Sequence, residues 1–229
     1  MPNQKDHERA LELAQRGMNH QMAEEFNEAI RLYKESIAIC PTADAHTYLG
    51  WAYSFQGRID DAIAQCEIAI QLDPEFGNPY NDIGVYLMQQ QKLDEAIPWL
   101  ERAKLAKRYE PRHFPYINLG RVYLTKGMVN KALQEFRGAL DRNPDVTDLA
   151  QLIEDLESKL QELQTAAELD SSRSKRFERL ELFERLERPL RLGFTDGGVE
   201  DRHGRVGFRP FYDQRRAETQ RALAAAQEQ

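Results

Sequence analysis

The sequence predicts an all-α protein: a solenoid of four helix pairs, a capping helix after them, and a mixed, basic tail. Three observations predict it. The segment LDEAI at 93–97 is rewritten as FNEAI at 26–30, IDDAI at 59–63 and VNKAL at 129–133, at offsets of 33, 34 and 36 residues. A glycine stands twelve residues before the Ala of each copy: Gly17, Gly50, Gly84 and Gly120. Residues of fixed size follow that Ala, bulky ones four later (Tyr33, Cys66, Leu100, Phe136) and small ones seven later (Ser36, Ala69, Ala103, Ala139). A near-period of this length marks a repeat architecture, in which each unit buries its apolar face only against its neighbours. Small residues let two helices approach, and bulky ones fill the space beside them.

Unit one covers about residues 10–42. Its first helix carries Gly17, and Arg16 and His20 stand where later units are apolar, so it is expected at an edge. Unit two covers 43–76 and closes on Pro74, as unit one closes on Pro41, because proline cannot continue a helix. Unit three covers 77–110. It lacks the proline in register, and Pro111 comes three residues late, so a longer connection is expected around AKRYEPRHF. Pro98, early in its second helix, removes one N–H and is expected to bend that helix slightly. Unit four covers 113–146 and contains Pro144. In each unit Asn27, Asp60, Asp94 or Asn130 is expected to open the second helix, its side-chain oxygen accepting a backbone N–H.

Residues 145–169 carry Val146, Leu149, Ile153, Leu156, Leu160 and Leu163 at helical spacing. They read as a capping helix, with homodimerisation through the same stripe as the alternative. The tail, 171–229, divides into a helix at 173–188 with Phe177, Leu180, Phe183 and Leu186 on one stripe, a turn-rich stretch at 190–213, and a short helix at 214–225. It has too many aromatics for a disordered segment and is too small to bury them alone.

Composition narrows the function. The chain has 229 residues, 41% hydrophobic and 30% charged, with a net charge of -7. That charge is uneven. Residues 171–229 hold 13 Lys+Arg against 10 Asp+Glu, and twelve of the 13 are Arg; residues 1–170 hold 18 against 28. No run reaches the ~18 apolar residues of a membrane span, so no membrane association is expected. The first ten residues have no apolar core of a secretory signal, and Cys40 and Cys66 form no disulfide framework. A cytoplasmic setting is expected. The five histidines have no metal-ligand spacing, and GGVEDRHGRVG lacks the lysine and context of a phosphate loop. The chain is read as a non-enzyme with no cofactor and no metal.

The run LGWAYSFQGRIDDAIAQCEIAIQLDP carries Leu49, Gly50, Tyr53, Ala62, Ala69 and Pro74, and unit four carries Leu119, Gly120, Tyr123, Ala132, Phe136, Ala139 and Pro144. This pattern resembles the tetratricopeptide repeat family over about residues 10–144. The resemblance implies a right-handed α-solenoid whose first helices line a concave side that binds peptides or partner helices. Counted from each glycine, the face opposite the packed one yields a groove set: Met18, Met22, Trp51, Phe55, Asn81, Val85, Met88, Phe114, Ile117, Arg121 and Leu124. The apolar members are expected to form an exposed band, and Asn81 to pair with a bound backbone. Trp51 and Arg121 are of the types that dominate binding energy, and methionines adapt to varied partners. One subtype of the family grips a chaperone's C-terminal carboxylate with Lys, Asn and Arg; here those positions hold Ala14, Met18, Tyr48, Asn78 and Asp82, without the cations.

The expected function is a protein–protein interaction scaffold or adaptor that binds an apolar or amphipathic peptide segment in the groove. Two alternatives accompany it: a groove filled by the protein's own tail, structural or autoinhibitory, and nucleic-acid contact through the Arg-rich tail.

Overall fold

A computed structural model describes residues 3–169. The tail's expected helices and turn-rich stretch lie outside the described residues. Among those described are nine helices: α1 Gln4–Met22, α2 Phe26–Ile39, α3 Ala43–Phe55, α4 Ile59–Leu72, α5 Asn78–Gln89, α6 Leu93–Leu105, α7 Phe114–Thr125, α8 Val129–Leu140 and α9 Thr147–Leu169. Each odd helix packs mainly on the even one after it, and each even helix on the next odd one, through to α9. The arrangement is an all-α solenoid.

The size code explains the pairing. A Cβ added to Gly17 would meet the Tyr33 ring at 2.7 Å; one on Gly84 would meet Leu100 at 2.5 Å, and one on Gly120 the Phe136 ring at 2.3 Å. Gly50 is confined by the Ala62 carbonyl at 3.1 Å and Cys66 Sγ at 3.4 Å. At Gly17, Gly84 and Gly120 glycine is required because the bulky residue of the partner helix occupies the place of its side chain. The small residues Ser36, Ala69, Ala103 and Ala139 are all buried.

The turn inside each pair has one construction. Glu24, Gly57, Gln91 and Gly127 take positive φ (63°, 75°, 61° and 71°) just past the end of the odd helix. The next N–H bonds back to a carbonyl of the last turn: Glu25 to His20 at 2.9 Å, Arg58 to Tyr53 at 3.0 Å, Lys92 to Leu87 at 2.9 Å and Met128 to Tyr123 at 2.8 Å. This is the left-handed helix stop that glycine adopts most readily. It also sets the start of the even helices, which corrects one expectation. Asn27, Asp60, Asp94 and Asn130 lie one residue inside their helices, and the N-cap residues (Glu25, Arg58, Lys92, Met128) make no side-chain cap. Three of the four reach instead to the end of the next odd helix. Asn27 accepts from Gln56 at 2.8 Å, Asp60 accepts from Gln90 at 2.8 Å, and Asp94 pairs with Lys126. The recurring polar residue stitches neighbouring repeats together.

Unit one starts earlier than residue 10. Asn3 caps α1 with a capping box to Asp6, which carries the helix back to Gln4. Thr42 caps α3 through a 3.1 Å bond from Ala45 N–H. Pro79 and Pro115 stand in the first turns of α5 and α7, where their missing N–H costs nothing. Pro98 lies inside α6.

The unit-three irregularity has a structural use. Arg108 stands where the other units have the closing proline. Its N–H donates to the Glu75 carbonyl at 3.0 Å, and its carbonyl accepts from Gly77 N–H at 2.9 Å, forming a single parallel bridge between Phe76 and Arg108. Proline there would remove the donor. The Arg108 guanidinium lies 3.9 Å over the Phe76 ring, and its Nε donates to Asp73 at 2.9 Å. It also reaches Asp44 at 3.4 Å, so the 106–113 connection forms a strap from the third unit to the second. Tyr109 of the strap is buried against Gly77, where an added Cβ would lie 2.4 Å from Tyr109 Cβ.

At the far end Leu149, Ile153 and Leu156 of α9 are buried in a cluster with Leu133, Phe136 and Ala139 of α8. Leu152, Leu160 and Leu163 are half-buried beside them.

Candidate functional site

The odd helices touch one another along the stack, α1 with α3, α3 with α5 and α5 with α7, and so form one wall. A helix turns about 100° per residue. Gly50 and Gly84 define the back of α3 and α5; Trp51 and Phe55, or Asn78 and Val85, then fall on the front. Side-chain bonds join neighbouring fronts. Trp51 Nε1 donates to the Asp82 carboxylate, joining α3 to α5. Asn118 Nδ2 donates to Asn81 Oδ1 at 2.9 Å, joining α7 to α5. Tyr48 stacks at an angle between Trp51 (5.6 Å) and Tyr33 of α2 (5.8 Å), and the Tyr33 hydroxyl donates to Gln21 at 2.9 Å.

The sequence-derived set divides in two. Met22, Phe55, Met88, Phe114, Arg121 and Leu124 are half-buried. Met18, Trp51, Asn81, Val85 and Ile117 are buried, Trp51 to 5% exposure. The expectation of one exposed band is corrected for the four apolar ones, Met18, Trp51, Val85 and Ile117. Direction on an isolated helix names the front of that helix, but a large front residue also meets the neighbouring helix in the stack. Asn81 is likewise engaged with Asn118 within the wall. Phe55 stacks on Phe26 of α2, with centroids 5.0 Å apart and planes 12° apart.

Three features went unseen in sequence. Asp82 is buried at the centre of the wall as the acceptor for Trp51. Asn78, at the same front, is 2% exposed, and its Nδ2 has no hydrogen-bond partner. Near the first unit, a cavity of about 330 Å³ opens between α1 and α3, with Leu11, Ala14 and Tyr48 in its lining and Asp44 and Arg108 at its edge. Only the replacement of the repeat's closing proline by Arg108 signalled any of this in the chain. Beside Phe114, His113 stacks at 4.4 Å, and burial holds its imidazole below the ordinary range, against the opposing influence of Glu110.

Among the described residues no cluster of His, Cys, Asp or Glu could hold a metal ion, and no helix is long and apolar enough to cross a membrane. Neither cysteine is in a disulfide. The wall leaves Met22, Phe55, Met88, Phe114, Arg121 and Leu124 half-buried, with its amide groups buried behind them.

The tetratricopeptide repeat family matches residues 43–76 and 115–146. The chain is 29% identical over 109 residues to the Protein STIP1 homolog of Dictyostelium discoideum, a match covering 44% of this chain and 19% of that one. It is 28% identical over 97 residues to small glutamine-rich tetratricopeptide repeat-containing protein 2 of Mycosarcoma maydis, covering 42% of this chain and 28% of that one. The chain thus spans under a third of the length of either relative. Among solved structures, the pilF protein of Pseudomonas aeruginosa superposes with a TM-score of 0.63 at 22% identity, covering 81% of this chain and 86% of that one. A MamA structure superposes at 0.54 with 22% identity, covering 80% and 93%. These two likenesses speak for the fold, and together the repeats support a protein-interaction scaffold. With two repeats matched directly and four helix pairs laid out on one residue spacing, the chain carries tetratricopeptide repeats.

Proposed function

We propose that this protein is a non-enzymatic interaction scaffold that holds an apolar or amphipathic peptide segment against the concave wall of its odd helices. One observation carries the reading: on the front of the odd helices Met22, Phe55, Met88, Phe114 and Leu124 stay only half-buried, leaving an apolar ring that a bound segment would cover. The apolar ring supplies contact area, and Arg121 at one end suits an acidic group on the segment. The absence of cations at the positions that the family uses to clamp a C-terminal carboxylate directs the reading to internal segments. Two cysteines outside any disulfide accord with a cytoplasmic setting.

The test is selection of displayed amphipathic peptides on the full chain, followed by affinity measurement against Phe55→Ala/Met88→Ala. Selected peptides should carry apolar anchors at helical spacing, and the double substitution should weaken them about tenfold or more, equivalent to about 1.4 kcal/mol. Equal affinity for both proteins overturns the groove assignment.

A further inference from the structure

We propose that the resident occupant of the concave wall is the protein's own C-terminal segment, residues 171–229, seated through the Phe177–Leu180–Phe183–Leu186 stripe. The proposal rests on the groove reading above and deepens it: external partners then compete with a tethered one.

Length and position point to this segment. The described chain ends with α9 at Leu169, stacked on the last pair, and 59 residues follow from 171 to the C-terminus. Residues 170–176 span at most about 25 Å when extended, whereas neighbouring packed helices lie about 8–10 Å apart. The connection is therefore long enough to cross from α9 to the helices next to it in the stack. Six aromatics lie in the segment (Phe177, Phe183, Phe194, Phe208, Phe211 and Tyr212), more than so short a chain buries by itself.

Charge points the same way. Residues 1–170 carry ten more acidic than basic groups, and 171–229 carry three more basic than acidic, with Arg supplying twelve of the 13 cations. Asp82 and Asp44 are already engaged, with Trp51 and Arg108, so the complementarity is that of the acidic body as a whole. Arginine serves such a surface better than lysine, because its planar fork is weakly hydrated and stacks on aromatic faces.

Tethering supplies the energetics. A flexible link holds its segment at an effective concentration of about millimolar, so even weak docking keeps the wall largely occupied, and an external peptide binds with its affinity reduced by the closed fraction.

The test uses the full chain with methyl-labelled methionine. Met22 and Met88 lie on the wall, and Met128 lies outside it, in the turn before α8. Replacing Phe177→Ser/Phe183→Ser should move the Met22 and Met88 methyl resonances and leave Met128 in place. Arg179→Glu/Arg185→Glu, which spares the apolar stripe, should move the same two by less. Peptides selected as above should bind either variant at least tenfold tighter than wild type. Unmoved groove methyls in both variants overturn the proposal, and if peptides still bind the wall, the interaction reading survives it. Moved methyls with no peptide binding at all leave the docking standing and remove the external-partner reading. Wild-type Met22 and Met88 resonances that move on dilution place the tail in a second copy, which overturns docking within one chain.

Discussion

Glycine fills the helix-stop position in two turns, and an L-residue is forced into the same backbone shape in the other two. Gln91 has φ 61° and Glu24 φ 63°, where Gly57 has 75° and Gly127 has 71°. An L-residue in this region costs about 1–2 kcal/mol against the ordinary helical one. Glycine loses about 0.4–1 kcal/mol of that advantage through its freer unfolded chain. The expected net effect of Gln91→Gly is about 0.5–1 kcal/mol of added stability. The Gln91 side chain is exposed, so little packing is lost. Gly57→Ala is the mirror experiment. A Cβ at Gly57 meets nothing within 4 Å, so only the backbone term acts, and stability should fall by a similar amount. Urea denaturation followed by far-UV circular dichroism measures both. With a slope of about 2 kcal/mol per molar, the midpoints should shift by about 0.25–0.5 M in opposite directions. If Gln91→Gly lowers the midpoint as Gly57→Ala does, backbone strain at this position does not govern these turns.

Three more expectations concern the stack. Gly77→Ala would put a methyl 2.4 Å from Tyr109 Cβ and displace the strap; thermal denaturation should show a loss of about 1–3 kcal/mol, and an unchanged midpoint would refute the close-approach argument. Lys104 lies between Glu101 (3.1 Å) and Glu135 (3.0 Å), with only 15% of its side chain exposed. Burial opposes its charge, yet the hydrogen bonds it donates to Glu135 and Glu101 raise its pKa above the ordinary lysine range. Glu135→Ala should therefore cost about 1–2 kcal/mol, discounted for partial exposure, and Glu101→Ala less, which chemical denaturation would separate. His113 is held neutral by burial, so the unfolded chain takes up its proton more readily than the folded one. The stability it contributes is present above about pH 6.5 and is lost as pH falls below that toward its depressed folded value. His113→Gln should flatten the stability profile between neutral and mildly acidic pH in titrated urea melts.

Much of the fold was legible because its contacts recur at short range. Gly17 with Tyr33, Gly84 with Leu100, and Gly120 with Phe136 each lie sixteen residues apart, and one spacing rule finds them all. The wall was legible in direction only. Met18 and Arg121 each follow their glycine by one residue and so hold equivalent helix angles, yet one is buried and the other half-buried, because each meets different neighbours across the stack. Asn27, Asp60 and Asp94 were assigned as helix caps from their residue type. Only the turn geometry shows them displaced one residue into the helix, with their oxygens turned to the next repeat.

The sequence alone determined the number, order and mutual register of the helix pairs, since each pair is specified by side-chain size within a few turns of chain. The tertiary structure decided what those pairs leave accessible. Trp51 lies 31 residues from Asp82 and Arg108 lies 64 from Asp44. No local pattern encodes separations of that kind. They follow from the angle at which successive repeats stack, and that angle is set by all the interfaces together.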